Sequence, residues 1–187
     1  MLEAFLVSTG VVALAEIGDK TQLLALVLAT RYRRPLPIIA GILFATLANH
    51  ALAGFVGSWV AARIGGETLR WILGLSFIAM AIWTLIPDRY EEQRAESPRF
   101  GVFGATLLAF FLLEMGDKTQ IATVALAAKY ASLAAVVAGT TLGMMLANVP
   151  VVLLVEAAAR KLPMRLVRGV AAGIFLVLGV LVLLGAG

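Results

Sequence analysis

Residues 16–22 read Glu16-Ile17-Gly18-Asp19-Lys20-Thr21-Gln22, and residues 114–120 read Glu114-Met115-Gly116-Asp117-Lys118-Thr119-Gln120. The second string repeats the first 98 positions later, with a single apolar residue exchanged. Both copies sit inside long apolar stretches, 5–28 and 102–128. Carboxylates and ammoniums in such a place are expensive to bury, so they pair with one another or mark an ion pathway. The duplication points to each copy as the other's partner.

Composition places these stretches in a membrane. Of the 187 residues, 61% are hydrophobic and 14% charged, far from the balance of an ordinary water-soluble domain. There is no cysteine, which excludes disulfides, thiolate metal sites and cysteine nucleophiles. The single histidine, His50, cannot build an imidazole-rich metal site by itself. Net charge is +4, but the basic residues lie in the short gaps between apolar runs. They read as membrane-orientation charge and not as a nucleic-acid surface. Ala13-Leu14-Ala15 resembles a signal-peptide cleavage site, yet the start carries Glu3 and no basic residue. Its twin stretch is internal, so the first stretch is expected to be retained.

A span needs about 20 mostly apolar residues, and six fit: 4–29, 35–61, 68–86, 101–128, 133–159 and 164–184. The expected fold is an all-α integral membrane protein with a single transmembrane domain, 1–187. Repeat one covers 1–87, a polar connector 88–99 and repeat two 100–187. Thr46-Leu47-Ala48-Asn49 in the second span recurs as Met145-Leu146-Ala147-Asn148 in the fifth, so the halves match beyond the motif. With three spans per half, an odd number, the second half enters the membrane upside down, giving two inverted-topology repeats. Transporters built this way place their binding site near the midplane, between the repeats.

Orientation follows from the basic residues. The gaps after spans one, three and five carry Arg31, Arg33, Arg34, Arg89, Arg94, Arg99, Arg160, Lys161, Arg165 and Arg168, against Arg63, Arg70 and Lys129 on the other side. The first set is expected in the cytoplasm together with the 88–99 loop, and both termini outside.

On a straight helix with Glu16 at zero, Lys20 falls near ~+40°, Asp19 near ~−60° and Gln22 near ~−120°. Glu114, Asp117, Lys118 and Gln120 share that spacing. Two such arcs facing each other would gather four carboxylates, two ammoniums and two amides. Gly18 and Gly116 could let the backbone open locally and release carbonyls. Four acids and two lysines leave about −2, which one divalent cation would neutralise, and the donors are all oxygen, suited to Ca²⁺, Mg²⁺ or Mn²⁺ rather than zinc or copper. When the metal leaves, crowded carboxylates in a low-dielectric site favour taking up protons in its place. Were the charges only a fastening between helices, the two lysines would satisfy two acids and leave two unexplained. Lys20 and Lys118 are therefore expected to pair with some of the acids and tune the site.

Asn49 and Asn148 hold equivalent places in the halves, and together with Gln22, Gln120, Thr21 and Thr119 they are candidates for additional ligands or gates. The threonines point away from the arc on a straight helix and join it where the helix unwinds. His50, whose counterpart is Val149, reads as an incidental polar contact, and Pro150 as a kink beside Asn148. Glu156 and Arg160 have the spacing of an interfacial ion pair. Trp59, Trp71, Trp83 and Tyr90 read as interface or packing aromatics. Gly41, Gly54, Gly57, Gly74, Gly139, Gly143, Gly173 and Gly179 read as close helix contacts. No phosphate-binding glycine loop, hydrolase triad or nucleotide signature is present, which argues against an enzyme.

The doubled Glu-x-Gly-Asp-Lys-Thr motif, one copy in each half of a small six-span chain, resembles the Golgi-type calcium/manganese–proton antiporter family. That family includes bacterial manganese exporters and organellar members. The resemblance covers essentially the whole chain. It implies metal binding by Glu16, Asp19, Glu114 and Asp117, and exchange of Mn²⁺ or Ca²⁺ for H⁺ across the lipid bilayer without a prosthetic group. The short connector looks like that of a bacterial member in the cytoplasmic membrane. Two alternatives stand beside it: a proton-coupled exporter of an organic cation such as a basic amino acid, and a non-transporting membrane scaffold.

Overall fold

The computed structural model describes residues 1–86, 101–154 and 164–185. Among them are eight helices and no strand: α1 Leu2–Glu16, α2 Lys20–Tyr32, α3 Pro35–Ala61, α4 Gly66–Leu85, α5 Gly101–Glu114, α6 Lys118–Lys129, α7 Leu133–Leu153 and α8 Met164–Leu183. The expected connector 88–99 and the Glu156–Arg160 pair lie outside the described residues, as do Tyr90, Arg89, Arg94, Arg99, Arg160 and Lys161.

Helices α3, α4 and α7 are long and apolar enough to cross a membrane, and α5 and Arg168–Leu183 are shorter apolar helices. Residues Leu43, Phe44, Leu47, Leu52, Phe55 and Trp59 of α3 are exposed, as are Trp71, Leu75 and Ile82 of α4. Apolar faces of this extent are a liability in water and are at home against lipid. Trp59 carries the Arg63 guanidinium 4.2 Å from its ring centroid at the end of α3, the setting expected of an interfacial aromatic.

The stretches 4–29 and 101–128, expected as unbroken spans, are each two helices. The break falls on the repeated motif. Ile17 has φ −63 and ψ 117 and Gly18 has φ 79, the angles of a type II turn. Asp19 N–H closes that turn on Glu16 O at 3.0 Å. In the second copy Gly116 has φ 77, and Asp117 N–H donates to Glu114 O, also at 3.0 Å. Glycine takes this left-handed conformation without the steric penalty that a Cβ brings. Glu16 and Glu114 are thereby the last residues of α1 and α5, while Asp19 and Asp117 stand as N-caps of α2 and α6. The arcs drawn on a straight helix do not survive this break.

Packing is reciprocal between the halves. At Gly139 of α7 an added Cβ would meet Phe5 O of α1 at 2.5 Å and Ser8 Cβ at 3.0 Å. At Gly41 of α3 it would meet Thr106 Cβ of α5 at 2.7 Å and Phe103 O at 3.0 Å. Helix α1 thus lies along α7, and α5 along α3, while α4 and α8 pack on each other through Gly74 and Gly179. Gly173, expected at such a contact, faces open space.

Two apolar clusters result. One joins Ala4, Val11 and Ala15 of α1 to Leu126 of α6, Phe77 of α4 and Phe175 of α8, the two rings stacked at 6.4 Å. The other joins Leu24 and Leu28 of α2 to Ile38 and Ile42 of α3 and Phe110 of α5. The chain crosses from the first cluster to the second at the Gly18 turn, and again from the second to the first at the Gly116 turn. Both turns carry the acids across that boundary.

Candidate metal centre

Each break puts the carbonyl end of one helix beside the amide end of the next. Helix ends leave backbone C=O and N–H groups without intrahelical partners, so a mid-chain break concentrates polarity that an unbroken helix would hide. Glutamine closes part of the gap in both copies: Gly18 N–H donates to Gln22 Oε1 at 2.8 Å, and Gly116 N–H to Gln120 Oε1 at 2.7 Å. Neither aspartate caps its own helix with its side chain. Both carboxylates are directed elsewhere.

Their direction is across the molecule. Lys118 Nζ lies 2.7 Å from Asp19 Oδ1, and Lys20 Nζ lies 3.0 Å from Asp117 Oδ1. Each motif's lysine lies against the other motif's aspartate. The pairs differ in depth, since the Lys118 side chain is 4% exposed and that of Lys20 23%.

The glutamates have asparagines instead. Asn49 Nδ2 donates to Glu114 Oε2 at 3.1 Å, and Thr46 Oγ1 donates to Glu114 Oε1 at 3.1 Å. Asn148 Nδ2 reaches Glu16 Oε1 at 3.4 Å. Glu16 and Glu114 are fully buried, and Asp19 and Asp117 nearly so. One carboxylate oxygen from each of Glu16, Asp19 and Asp117 lies within 4.8 Å of the others. Glu114, the fourth acid singled out in the sequence, stands beside that trio and is held by Asn49 and Thr46.

The chemistry of the donors is hard oxygen. Glu16 Oε2, Asp117 Oδ2, Asn148 Oδ1 and the hydroxyls of Thr21 and Thr119 are all buried without a hydrogen-bond partner among the described residues. Buried oxygens of this kind are normally satisfied, and two of them, Glu16 Oε2 and Asp117 Oδ2, belong to the carboxylate trio itself, a donor set of the kind that hard divalent cations take. The two lysines offset the two aspartates, and the two glutamates stand outside those pairs.

Sequence reasoning overlooked Thr46. It sits three residues before Asn49, on the same face of α3, and that spacing was the available signal. The incidental polar contact expected of His50 is not found among the described residues: the ring is buried and neither nitrogen has a partner. Helix α7 continues through Pro150 to Leu153. Outside the membrane-spanning segments, Tyr130 OH donates to Glu3 Oε1 at 3.3 Å, and burial, together with that carboxylate, pushes the phenol above its ordinary range.

A family model described as divalent cation/proton antiporter GDT1 matches residues 4–92 and 102–187. A protein of Vibrio cholerae serotype O1, provisionally named a manganese exporter, is 54% identical over 179 residues, 95% of this chain and 89% of that one. A GDT1-like protein of Synechocystis sp. is 28% identical over 172 residues, 68% of this chain and 71% of its own. No solved structure gives a significant match.

Proposed function

The chain belongs to the GDT1 family of divalent cation/proton antiporters, and from that premise we propose that it exports Mn²⁺ from the cytoplasm in exchange for protons. The observation that carries the proposal is the meeting of Glu16, Asp19 and Asp117 oxygens within 4.8 Å, with Glu16 Oε2 and Asp117 Oδ2 buried and without hydrogen-bond partners among the described residues. Manganese is named first because the Vibrio cholerae relative is named for it. Calcium is a second cargo that the same oxygen set would accept.

The architecture proposed for this activity is six spans in two inverted repeats, with α1–α2 and α5–α6 each counted as one interrupted span. Support comes from the reciprocal packing of α1 on α7 and α5 on α3, and from the crossed lysine–aspartate pairs. Both termini are placed outside a bacterial cytoplasmic membrane on the basic-residue count. In the cycle, Mn²⁺ enters from the cytoplasm onto Glu16, Asp19, Asp117 and Glu114. The halves then rock about the midplane, and protons arriving from outside neutralise the carboxylates as the metal leaves. The name of the Vibrio cholerae relative favours the metal over an organic ammonium.

Purified protein in liposomes tests this directly. An imposed pH gradient should drive Mn²⁺ uptake, and Glu16→Gln or Glu114→Gln should stop it. Transport that survives both substitutions rules out the assignment, and a block by lysine or arginine would favour the organic cation.

A further inference from the structure

The two glutamates are held differently, and the difference can be traced to backbone atoms. The break after α5 leaves Gly116 N–H and Phe111 O without helical partners. A backbone N–H can only donate, so the Gln120 atom facing Gly116 is necessarily Oε1 (2.7 Å). Gln120 Nε2 then points to Asn49 and donates to Oδ1 at 3.3 Å. A carbonyl can only accept, so the Asn49 atom at Phe111 O (3.0 Å) is necessarily Nδ2, which also donates to Glu114 Oε2. Both amides are locked in one direction from both ends, and that direction aims a donor at Glu114.

The first half lacks this chain of bonds. Gln22 Oε1 accepts from Gly18 N–H in the same way, but Gln22 Nε2 donates to the backbone carbonyl Ala147 O at 2.8 Å and not to Asn148. Asn148 Nδ2 donates to Met144 O at 3.1 Å and contacts Met144 Sδ at 3.0 Å, both within its own helix. Its reach to Glu16 is the long one, and Glu16 Oε2 and Asn148 Oδ1 are without partners among the described residues.

We infer that Gln120 and Asn49 form a positioning relay that fixes Glu114 as a stationary acceptor, and that Glu16, without such a relay, is the carboxylate that reorients as the divalent cation comes and goes. Gln120 is a positioning residue, acting through Asn49. The inference rests on the transport assignment for its meaning, but the relay itself can be read without any metal.

Gln120→Met and Gln22→Met form the paired test. Both substitutions deprive a turn glycine of its acceptor, and only the first also takes away the donor that holds Asn49 Oδ1. In Mn²⁺ uptake by proteoliposomes, Gln120→Met should raise KM by about fivefold more than Gln22→Met, the worth of one hydrogen bond. In an Asn49→Ala background Gln120→Met should add no more than Gln22→Met does, because the residue it acts through is gone. Equal single effects, or full additivity on Asn49→Ala, overturn the relay. The infrared carboxylate band of Glu114, assigned by its loss in Glu114→Gln, supplies the metal-free readout. It should shift in Gln120→Met and hold its position in Gln22→Met; a band unmoved in Gln120→Met overturns the relay whatever the protein transports. Wild-type protein that moves no Mn²⁺ while the band shifts sinks the transport assignment alone.

Discussion

Lys118 Nζ sits 2.7 Å from Asp19 Oδ1, joining the second motif to the first with both side chains almost wholly buried. Taking one partner from a buried pair strands the other charge, which typically costs 3–5 kcal/mol. Lys118→Met is therefore expected to destabilise the protein by about 3 kcal/mol. Lys20→Met, whose side chain is partly exposed, should cost less. Removing a positive charge also leaves the carboxylates more dependent on a cation. Mn²⁺ should restore more of the lost thermal stability in Lys118→Met than it adds to the wild type. Equal Mn²⁺ shifts in the two proteins would mean that the lysine does not share the site's charge balance.

Gly18 and Gly116 make the second prediction. With φ of 79 and 77, a Cβ at either brings left-handed strain of about 1–2 kcal/mol. Gly18→Ala and Gly116→Ala should each lower the melting temperature in detergent, even though open space surrounds the Cβ position at Gly116. Gly173 is the control, since it lies inside α8 with nothing within 4 Å of an added Cβ. There alanine should be neutral or gain about 0.5–1 kcal/mol from the helix propensity difference. If all three substitutions behave alike, the turn at the motif is not held by the left-handed conformation.

Much of this site was legible because two copies of one string constrain each other. The four acids, the two lysines and the paired asparagines could all be named from spacing, and the family match agrees with the resemblance carried by the motif. The break itself was harder to see. A glycine within a helical apolar run is compatible with both a straight helix and a turn, and only the observed backbone angles separate the two. The crossed pairing of lysine with the opposite aspartate depends on that turn, because it places Asp19 and Lys20 at a helix start instead of along one stripe. Thr46 was hidden for another reason. Its counterpart is Met145, so the repeat comparison marked the position without marking the hydroxyl.

Tyr130 supports a prediction remote from the metal. Its phenol is held above the ordinary value first by burial and then by Glu3, so the folded protein keeps the proton at pH values where the unfolded chain has released it. The corresponding stability is fully present below the unfolded value and is lost as pH rises toward the folded one. Ultraviolet titration of the wild type against Tyr130→Phe should show one phenol ionising above the usual range. Glu3→Gln should lower that midpoint without normalising it, because burial is the larger cause. A midpoint unchanged in Glu3→Gln would show that the hydrogen bond between them does not form in solution.

Acid should weaken metal binding at the centre itself. Carboxylates bind a divalent ion in their deprotonated form, so metal and protons compete for the same oxygens. Each proton displaced by Mn²⁺ makes the apparent Kd rise by up to about tenfold per unit fall in pH. Calorimetric titration in buffers of different ionisation enthalpy would measure both the slope and the protons released. Glu16→Gln removes one exchanging carboxylate, so it should lower both the proton count and the slope. Asn148→Asp should raise them, by placing a further acid where the Asn148 amide now reaches Glu16. A wild-type Kd that is flat in pH, with no proton release, would leave metal binding uncoupled from protons, and the exchange would need a different carrier for the proton.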